Sequence, residues 1–107
     1  METSEYAVVY SSAGSLIEAN SIAEALIEKK LAACVSIFPG VTSHYLWEGK
    51  KESSYEVVMM IKIVKTNFED VKKEIREIHS FEVPEILMLP IIGGSADYLD
   101  WMKSVSE

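Results

Sequence analysis

Cysteine and histidine, the residues that most often bind transition metals or act as nucleophiles, are scarce in this chain. There is one cysteine, Cys34, and there are two histidines, His44 and His79. A single cysteine excludes a disulfide within the chain and suits a reducing compartment. Closed zinc and copper sites use roughly three or four ligands, mostly thiolate and imidazole, and neither Cys-x-x-Cys nor His-x-x-x-His spacing occurs. We therefore expect no closed metal site within one chain, while a site built from one residue per chain around a symmetry axis stays open.

Basic residues are also in deficit. Ten lysines and arginines oppose 17 aspartates and glutamates, which gives a net charge of −7 and a pI near 4.8. Nucleic acids are bound through lysine and arginine footprints, so this composition argues against nucleic acid as a partner. An acidic surface attracts cations or cationic partners, and it also serves solubility alone.

Long apolar runs are absent as well. No segment approaches the ~20 apolar residues of a membrane-spanning helix. Residues 1–5 are acidic and lack the apolar core of a signal peptide. These features predict a cytoplasmic protein with no membrane partner. Its 107 residues suit a single domain that covers 1–107.

Signatures of common enzyme classes do not occur. The chain contains no Gly-x-Ser-x-Gly, no P-loop and no Gly-x-Gly-x-x-Gly sequence. Gly93-Gly94 is too short to hold a phosphate and is typical of a turn. We therefore expect a protein that is not an enzyme.

Helix patterns occur three times along the chain. Ser15 begins a Ser-x-x-Glu capping box before an amphipathic helix that is predicted to end near Lys30. Thr66 begins a similar box before a second amphipathic helix, which is predicted to end near His79. A third helix is expected at the C-terminus. Its apolar face consists of four residues: Tyr98, Trp101, Met102 and Val105.

Segments rich in β-branched and aromatic residues predict four strands. They cover residues 6–10, 33–38, 55–64 and 86–89, with a further extended segment at 42–47. Breaks are expected at residues 11–14 and at Pro39-Gly40. Pro90 has no N–H to donate, so the last strand is expected to be an edge strand or to stop early.

The order of these elements predicts a ferredoxin-like βαββαβ fold, an α/β sandwich of the α+β type with an extra C-terminal helix. Both long helices would lie on one face of an antiparallel sheet and leave the other face bare, although that face is largely apolar. Tyr45 and Trp47 lie on an arm that cannot bury them alone. We therefore expect a homo-oligomer.

Charged side chains on the longest strand are candidate site residues, because unpaired charge on a partly buried face is unfavourable. Glu56 and Lys62 share that face, and an ion pair between subunits is the alternative interpretation. His79 is either a helix-capping residue or part of a site. A cleft between subunits that binds a small anion or metabolite would use six residues: Trp47, Glu56, Lys62, His79, Tyr98 and Trp101.

Several segments together resemble the CutA family of divalent-cation tolerance proteins. They are Leu31-Ala32-Ala33-Cys34, Pro39-Gly40, Ser43-x-Tyr45-x-Trp47-Glu48-Gly49-Lys50, Glu56 with Lys62, His79, Val83-Pro84-Glu85 and Asp97-Tyr98-Leu99-x-Trp101. The resemblance implies a ferredoxin-like protomer in a tight homotrimer, with strands joined across subunits. It implies a cytoplasmic, non-enzymatic role in tolerance of copper and other divalent cations. It also implies kinship with the PII signalling trimers, so the alternative function is a PII-like sensor or scaffold with a small anionic ligand between subunits.

The chain departs from the family pattern at several positions. His79-Ser80-Phe81 stands where members usually have His-Pro-Tyr, and Lys62-Ile63 stands where they usually have Lys-Thr. The resemblance links copper to a cysteine and two adjacent histidines, and those positions match Ser11, Ile78 and His79. Only His79 has a side chain suited to Cu²⁺ or another divalent cation, so it is the one candidate metal ligand.

Overall fold

The computed structural model describes residues 4–107. Residues 1–3, which belong to the acidic N-terminal segment noted above, lie outside the described residues. The elements in chain order are β1 (Tyr6–Ala13), α1 (Leu16–Glu28), β2 (Cys34–Trp47), β3 (Lys50–Val64), a 3₁₀ turn (Lys65–Asn67), α2 (Phe68–Ile78), β4 (Ile86–Pro90) and α3 (Ala96–Ser104).

The four strands form one antiparallel sheet with the order β2-β3-β1-β4. The β1–α1–β2 and β3–α2–β4 connections each cross over a neighbouring strand. This is the ferredoxin-like arrangement, and the predicted fold class is confirmed. β4 lies at one edge of the sheet, as Pro90 predicts.

The hydrophobic core lies between the sheet and the two long helices. Alternate residues of β3 point into it, because successive side chains of a strand face opposite sides. Fully buried residues from the sheet meet fully buried residues from α1 and α2. They include Val9, Met59, Ile61, Ile63, Ile22, Leu26, Val71 and Ile75.

The hairpin of β2 and β3 is much longer than the sequence patterns indicate. Pro39-Gly40 does not end β2 as predicted; the register shifts between Phe38 and Val41, and the strand continues to Trp47. Such a bulge accommodates a proline within a strand, and Gly40 adopts a φ of 78° there. The hairpin closes at Glu48 and Gly49, with φ values of 51° and 79° that suit a two-residue turn.

Two further local predictions are wrong. The break predicted at residues 11–14 begins later, because β1 continues through Ser11 and Ser12 to Ala13. The Ser11 hydroxyl donates to the Glu85 carbonyl at 2.6 Å, which satisfies a polar group inside the sheet. Thr66 does not cap α2. It lies in the 3₁₀ turn, and Asn67 is the N-cap without a side-chain cap bond.

The second face of the sheet is partly open. We call it the open face, and it carries Val8 and Tyr10 of β1, Phe38 of β2, Val58, Met60 and Lys62 of β3, and Leu87 and Leu89 of β4. α3 contacts β3 at one end of this face, where Met102 is buried. None of the helices in the described part of the chain is long and apolar enough to cross a membrane.

Replacing a core residue tests this packing. Ile75→Ala removes a fully buried side chain between α2 and the sheet, so we expect a loss of about 2–5 kcal/mol in the free energy of unfolding. Urea denaturation at fixed protein concentration measures the change. Glu77→Ala, on the exposed face of the same helix, is the control and should change the value by less than about 0.5 kcal/mol. Equal effects of both variants would contradict this account of the core.

Candidate functional site

Glu56 and Lys62 lie on the open face, as predicted, but far apart. Lys62 comes six positions after Glu56 on β3, which corresponds to about 20 Å along a strand. Within one chain, five of the six predicted cleft residues therefore form two groups. Trp47 and Glu56 lie at the arm, close to the segment that follows His79, whereas Lys62, Tyr98 and Trp101 lie at the α3 end.

The region at the arm contains a groove with a volume of about 760 Å³. We call it the arm groove. Its walls are the inner side of the hairpin and the segment from residue 80 to residue 85. Carboxylates and aromatic rings dominate its lining. The carboxylates belong to Glu52, Glu56, Glu82 and Glu85, and the rings belong to Tyr45, Trp47, Tyr55 and Phe81.

The continuation of β2 past its bulge builds this groove. The shifted register places Val41 opposite Glu56, and Tyr45 opposite Glu52. Tyr45 and Trp47 therefore point to the same side as Glu56. The Ser12 hydroxyl donates to Glu56 Oε2 at 2.9 Å, which fixes this carboxylate at the base of the groove. No lysine or arginine among the described residues lines the groove, so every charged side chain of its lining is acidic.

His79 lies behind the groove rather than in it. It follows the last residue of α2, and its side chain is fully buried. Its Nε2 is 2.6 Å from the Ser12 carbonyl oxygen, and its Nδ1 is 3.0 Å from the Phe81 amide nitrogen. A carbonyl can only accept and an amide N–H can only donate. The ring is therefore the neutral tautomer that carries its proton on Nε2.

Glu18 approaches the same ring from α1. Its backbone N–H donates to the Ser15 side chain at 3.1 Å, so half of the predicted capping box forms. Its carboxylate turns away from the cap. Oε2 accepts the Ser80 amide at 3.2 Å, and Oε1 lies 3.5 Å from His79 Nδ1. Oε1 is buried and has no hydrogen-bond donor.

These contacts do not fit a copper site at the positions that the family resemblance indicates. Both nitrogens of His79 are in hydrogen bonds within the chain, so the neutral ring offers no free lone pair to a metal. Ser11 is buried and bonded to Glu85, and Ile78 packs against the core. Across residues 4–107, no group of three or more His, Cys, Asp or Glu residues is placed to hold a metal ion.

The α3 end of the open face holds a second, smaller cluster. Lys62 Nζ lies 3.3 Å from the Tyr98 hydroxyl and 5.4 Å from the centre of the Tyr98 ring. The rings of Tyr98 and Trp101 are 5.4 Å apart and both are partly exposed. None of the carboxylates in the described part of the chain forms an ion pair with Lys62. The cluster therefore presents an ammonium group beside two aromatic rings.

The single cysteine and the second histidine are not among the predicted cleft residues. Cys34 pairs with Lys62 across the sheet and is half-buried, not enclosed in the core. His44 is exposed on the arm. A cavity of about 380 Å³ between the start of β1 and residues 91–93 contains none of the predicted site residues.

The profile of the CutA1 divalent ion tolerance protein family matches residues 7–105 of the chain. The chain belongs to the CutA family. The CutA divalent-cation tolerance protein of Archaeoglobus fulgidus is 43% identical over 99 residues, which are 92% of this chain and 96% of that protein. The CutA of Thermus thermophilus is 42% identical over 85 residues, which are 79% of this chain and 82% of that protein.

Solved CutA structures agree with this fold over nearly the whole chain. The A. fulgidus structure has a TM-score of 0.93 at 42% identity and covers 95% of this chain and 99% of its own. CutA1 from Shewanella sp. SIB1 has a TM-score of 0.95 at 38% identity and covers 98% of both chains. The family resemblance seen in the sequence segments is therefore confirmed.

The prediction of a cytoplasmic location is wrong. The A. fulgidus structure is described as that of a periplasmic CutA protein. The CutA of Arabidopsis thaliana, 39% identical over 91% of this chain, is named as chloroplastic. Compartment therefore varies among CutA proteins, and the scarcity of cysteine and of apolar runs does not determine it.

The roles of several residues in this region are not predicted by the sequence patterns. Glu18 was assigned to a capping box, and Ser12 to a break between elements. Neither Glu52 nor Glu82 has a predicted role in the sequence, and Glu85 contributes only to the family resemblance. The Ser-x-x-Glu pattern explains the Ser15 cap, but no local pattern predicts that the Glu18 carboxylate turns toward a histidine 61 positions later in the sequence.

The protonation state of the two histidines tests the geometry of His79. At about pH 8, above the interval in which imidazoles ordinarily change charge, we expect nitrogen chemical shifts of a fixed Nε2–H tautomer for His79. His44 is the internal control, because an exposed ring should exchange between tautomers. Long-range proton–nitrogen NMR spectra measure both. An Nδ1–H tautomer of His79 would contradict the described hydrogen bonds.

Proposed function

We propose that this CutA protein acts as a homotrimer in divalent-cation tolerance and catalyses no reaction. The observation that carries the proposal is the apolar open face of the sheet. Phe38, Leu87 and Leu89 are each about half exposed in the isolated chain, at 46%, 54% and 50%. A soluble protein rarely leaves such a continuous apolar patch in water.

Assembly around the open face would remove this surface from water. Burying one large apolar side chain contributes roughly 1.5–3 kcal/mol, so several such residues per subunit favour a stable complex. The arm supports the same conclusion, because Leu46 and Trp47 are 71% and 55% exposed near its tip. Both edge strands, β2 and β4, have backbone groups that another subunit can pair with.

The arm groove supports a role with cations. Four carboxylates in a lining that contains no lysine or arginine attract positive charge, and carboxylate oxygens suit hard divalent cations. The same residues form no closed coordination sphere, so binding would be weak. We propose that this negative groove, and not a buried His79 site, is where divalent cations accumulate on the protein.

Neutralising the groove tests the cation role. The triple variant Glu52→Gln, Glu82→Gln and Glu85→Gln removes three charges from the groove, so we expect a several-fold loss of Cu²⁺ and Ca²⁺ binding in calorimetric titrations. Growth of a host that lacks its own CutA protein, in medium with raised copper, measures tolerance and should fall in parallel.

A control variant has the same change in net charge. Glu24→Gln, Glu28→Gln and Glu77→Gln neutralise three exposed carboxylates on the helices. This variant should keep both cation binding and tolerance. Equal losses in the two variants would mean that only overall charge matters, and no loss in either would refute a role for the groove.

The Lys62 cluster favours a second candidate, a sensor or scaffold that binds a small anion between subunits, as PII proteins do. Its support is the ammonium group of Lys62, which contacts a hydroxyl and a ring instead of a carboxylate. The trimer that we propose would bring the arm of one subunit toward another subunit. Trp47 and Glu56 would then join Lys62, Tyr98 and Trp101 in one cleft.

Removing the ammonium group tests this second candidate. We expect Lys62→Met to abolish binding of anionic probes such as inorganic phosphate, citrate or adenosine triphosphate, because the positive charge is lost while the aliphatic stem is kept. Calorimetric titration measures the affinity. Lys103→Met, which changes an exposed lysine of α3, is the control. Absence of binding to the unmodified protein, or equal loss in both variants, would exclude an anion site at Lys62.

A further inference from the structure

One ring nitrogen of His79 faces two competing groups. Nδ1 accepts the Phe81 N–H at 3.0 Å, and Glu18 Oε1 lies 3.5 Å from the same atom. In the neutral ring, Nδ1 has a lone pair and no proton, so it cannot donate to the carboxylate. This is why Glu18 Oε1 is buried without a donor. A buried carboxylate oxygen without a hydrogen bond is an unfavourable arrangement.

A proton on Nδ1 turns this nitrogen from a hydrogen-bond acceptor into a donor. The imidazolium ring donates from both nitrogens, to the Ser12 carbonyl from Nε2 and to Glu18 Oε1 from Nδ1. The Glu18 oxygen gains the donor that it lacks, in a charge-assisted bond. The Phe81 N–H then loses its acceptor, because two donors cannot share one hydrogen bond. Each charge state of the ring therefore leaves a different group without a partner.

We propose that Glu18, His79 and the Phe81 amide form a proton-operated switch. When His79 takes a proton from solvent, Nδ1 changes its partner from the Phe81 N–H to the Glu18 carboxylate, and the chain after His79 is released from the ring. In the neutral state this chain is held by the Phe81 amide and by the Ser80 amide, which donates to Glu18 Oε2 at 3.2 Å.

The elements packed around the ring present acidic side chains in this region. From α1, Glu18 is the charged group nearest to it, and no lysine or arginine among residues 4–107 pairs with that carboxylate. From β1, the Ser12 carbonyl accepts from the ring. From β3, Glu56 reaches the Ser12 hydroxyl and not the ring. Beyond Phe81, Glu82 and Glu85 face the arm groove.

The switch acts on the wall of the arm groove. Ser80, Phe81, Glu82, Val83 and Glu85 line that groove, and the Phe81 ring packs 4.7 Å from the His79 ring. Release of the Phe81 amide would let this wall move relative to the hairpin. The groove would then have one shape with neutral His79 and another with the imidazolium ring. The change of partner at His79 Nδ1 does not depend on whether the groove binds cations.

An NMR titration from about pH 8 to about pH 5, the interval in which imidazole ordinarily changes charge, tests the switch. Nitrogen shifts of the His79 ring report its protonation. Amide exchange, corrected for its intrinsic pH dependence, reports the Phe81 hydrogen bond. We expect the Phe81 protection factor to fall by roughly three- to tenfold, the effect of losing one hydrogen bond, at the same pH at which the ring gains its proton.

Glu18→Gln is the diagnostic variant. The neutral amide keeps an oxygen for the Ser80 N–H but removes the charge that attracts the proton, so Phe81 should stay protected through the titration. Glu24→Gln makes the same change at an exposed position of α1 and should behave as the unmodified protein does. Three results would each overturn the proposal. These are no protonation of His79 over this interval, protonation without loss of Phe81 protection, and an unchanged response in Glu18→Gln.

Discussion

A sheet that is covered by helices on one face only must bury its second face in another way, and most of this structure depends on that constraint. Here β1 and β3 supply buried residues to the helix side at every second position. The intervening residues form an open face that is also mainly apolar. α3 covers only the end near Lys62. The rest of the face is only partly buried within the chain, and the arm is largely exposed, which is why assembly is the central element of the proposed function.

The same constraint places both candidate sites. The open face carries Glu56 at one end and Lys62 at the other, with apolar side chains between them. In a monomer these would be two unrelated clusters about 20 Å apart. In a closed ring of subunits, one end of the face would approach the other end in a neighbour. Polar groups at the margins of an apolar contact surface are typical of ligand clefts between subunits.

The fold followed from the sequence because periodicity is a local property. Alternation along β3 correctly placed Glu56 and Lys62 on one face, and helical spacing located α1, α2 and α3. The errors arose where a long-range contact overrides a local preference. Pro39-Gly40 commonly ends a strand, but pairing with β3 carries the strand through a bulge. Ser11 and Ser12 are typical of a break, but Glu85 and Glu56 satisfy their hydroxyls. The contact between Glu18 and His79 joins two helices through side chains, so no pattern within either helix indicates it.

The mass of the protein in solution tests the central claim most directly. Multi-angle light scattering at micromolar concentration should give three times the chain mass of 12.0 kDa, because burial of the open face and the arm favours assembly and the family resemblance implies a trimer. The mass of a single chain would mean that the apolar face stays in water, and it would contradict the account. The mass of a dimer would equally contradict the threefold arrangement.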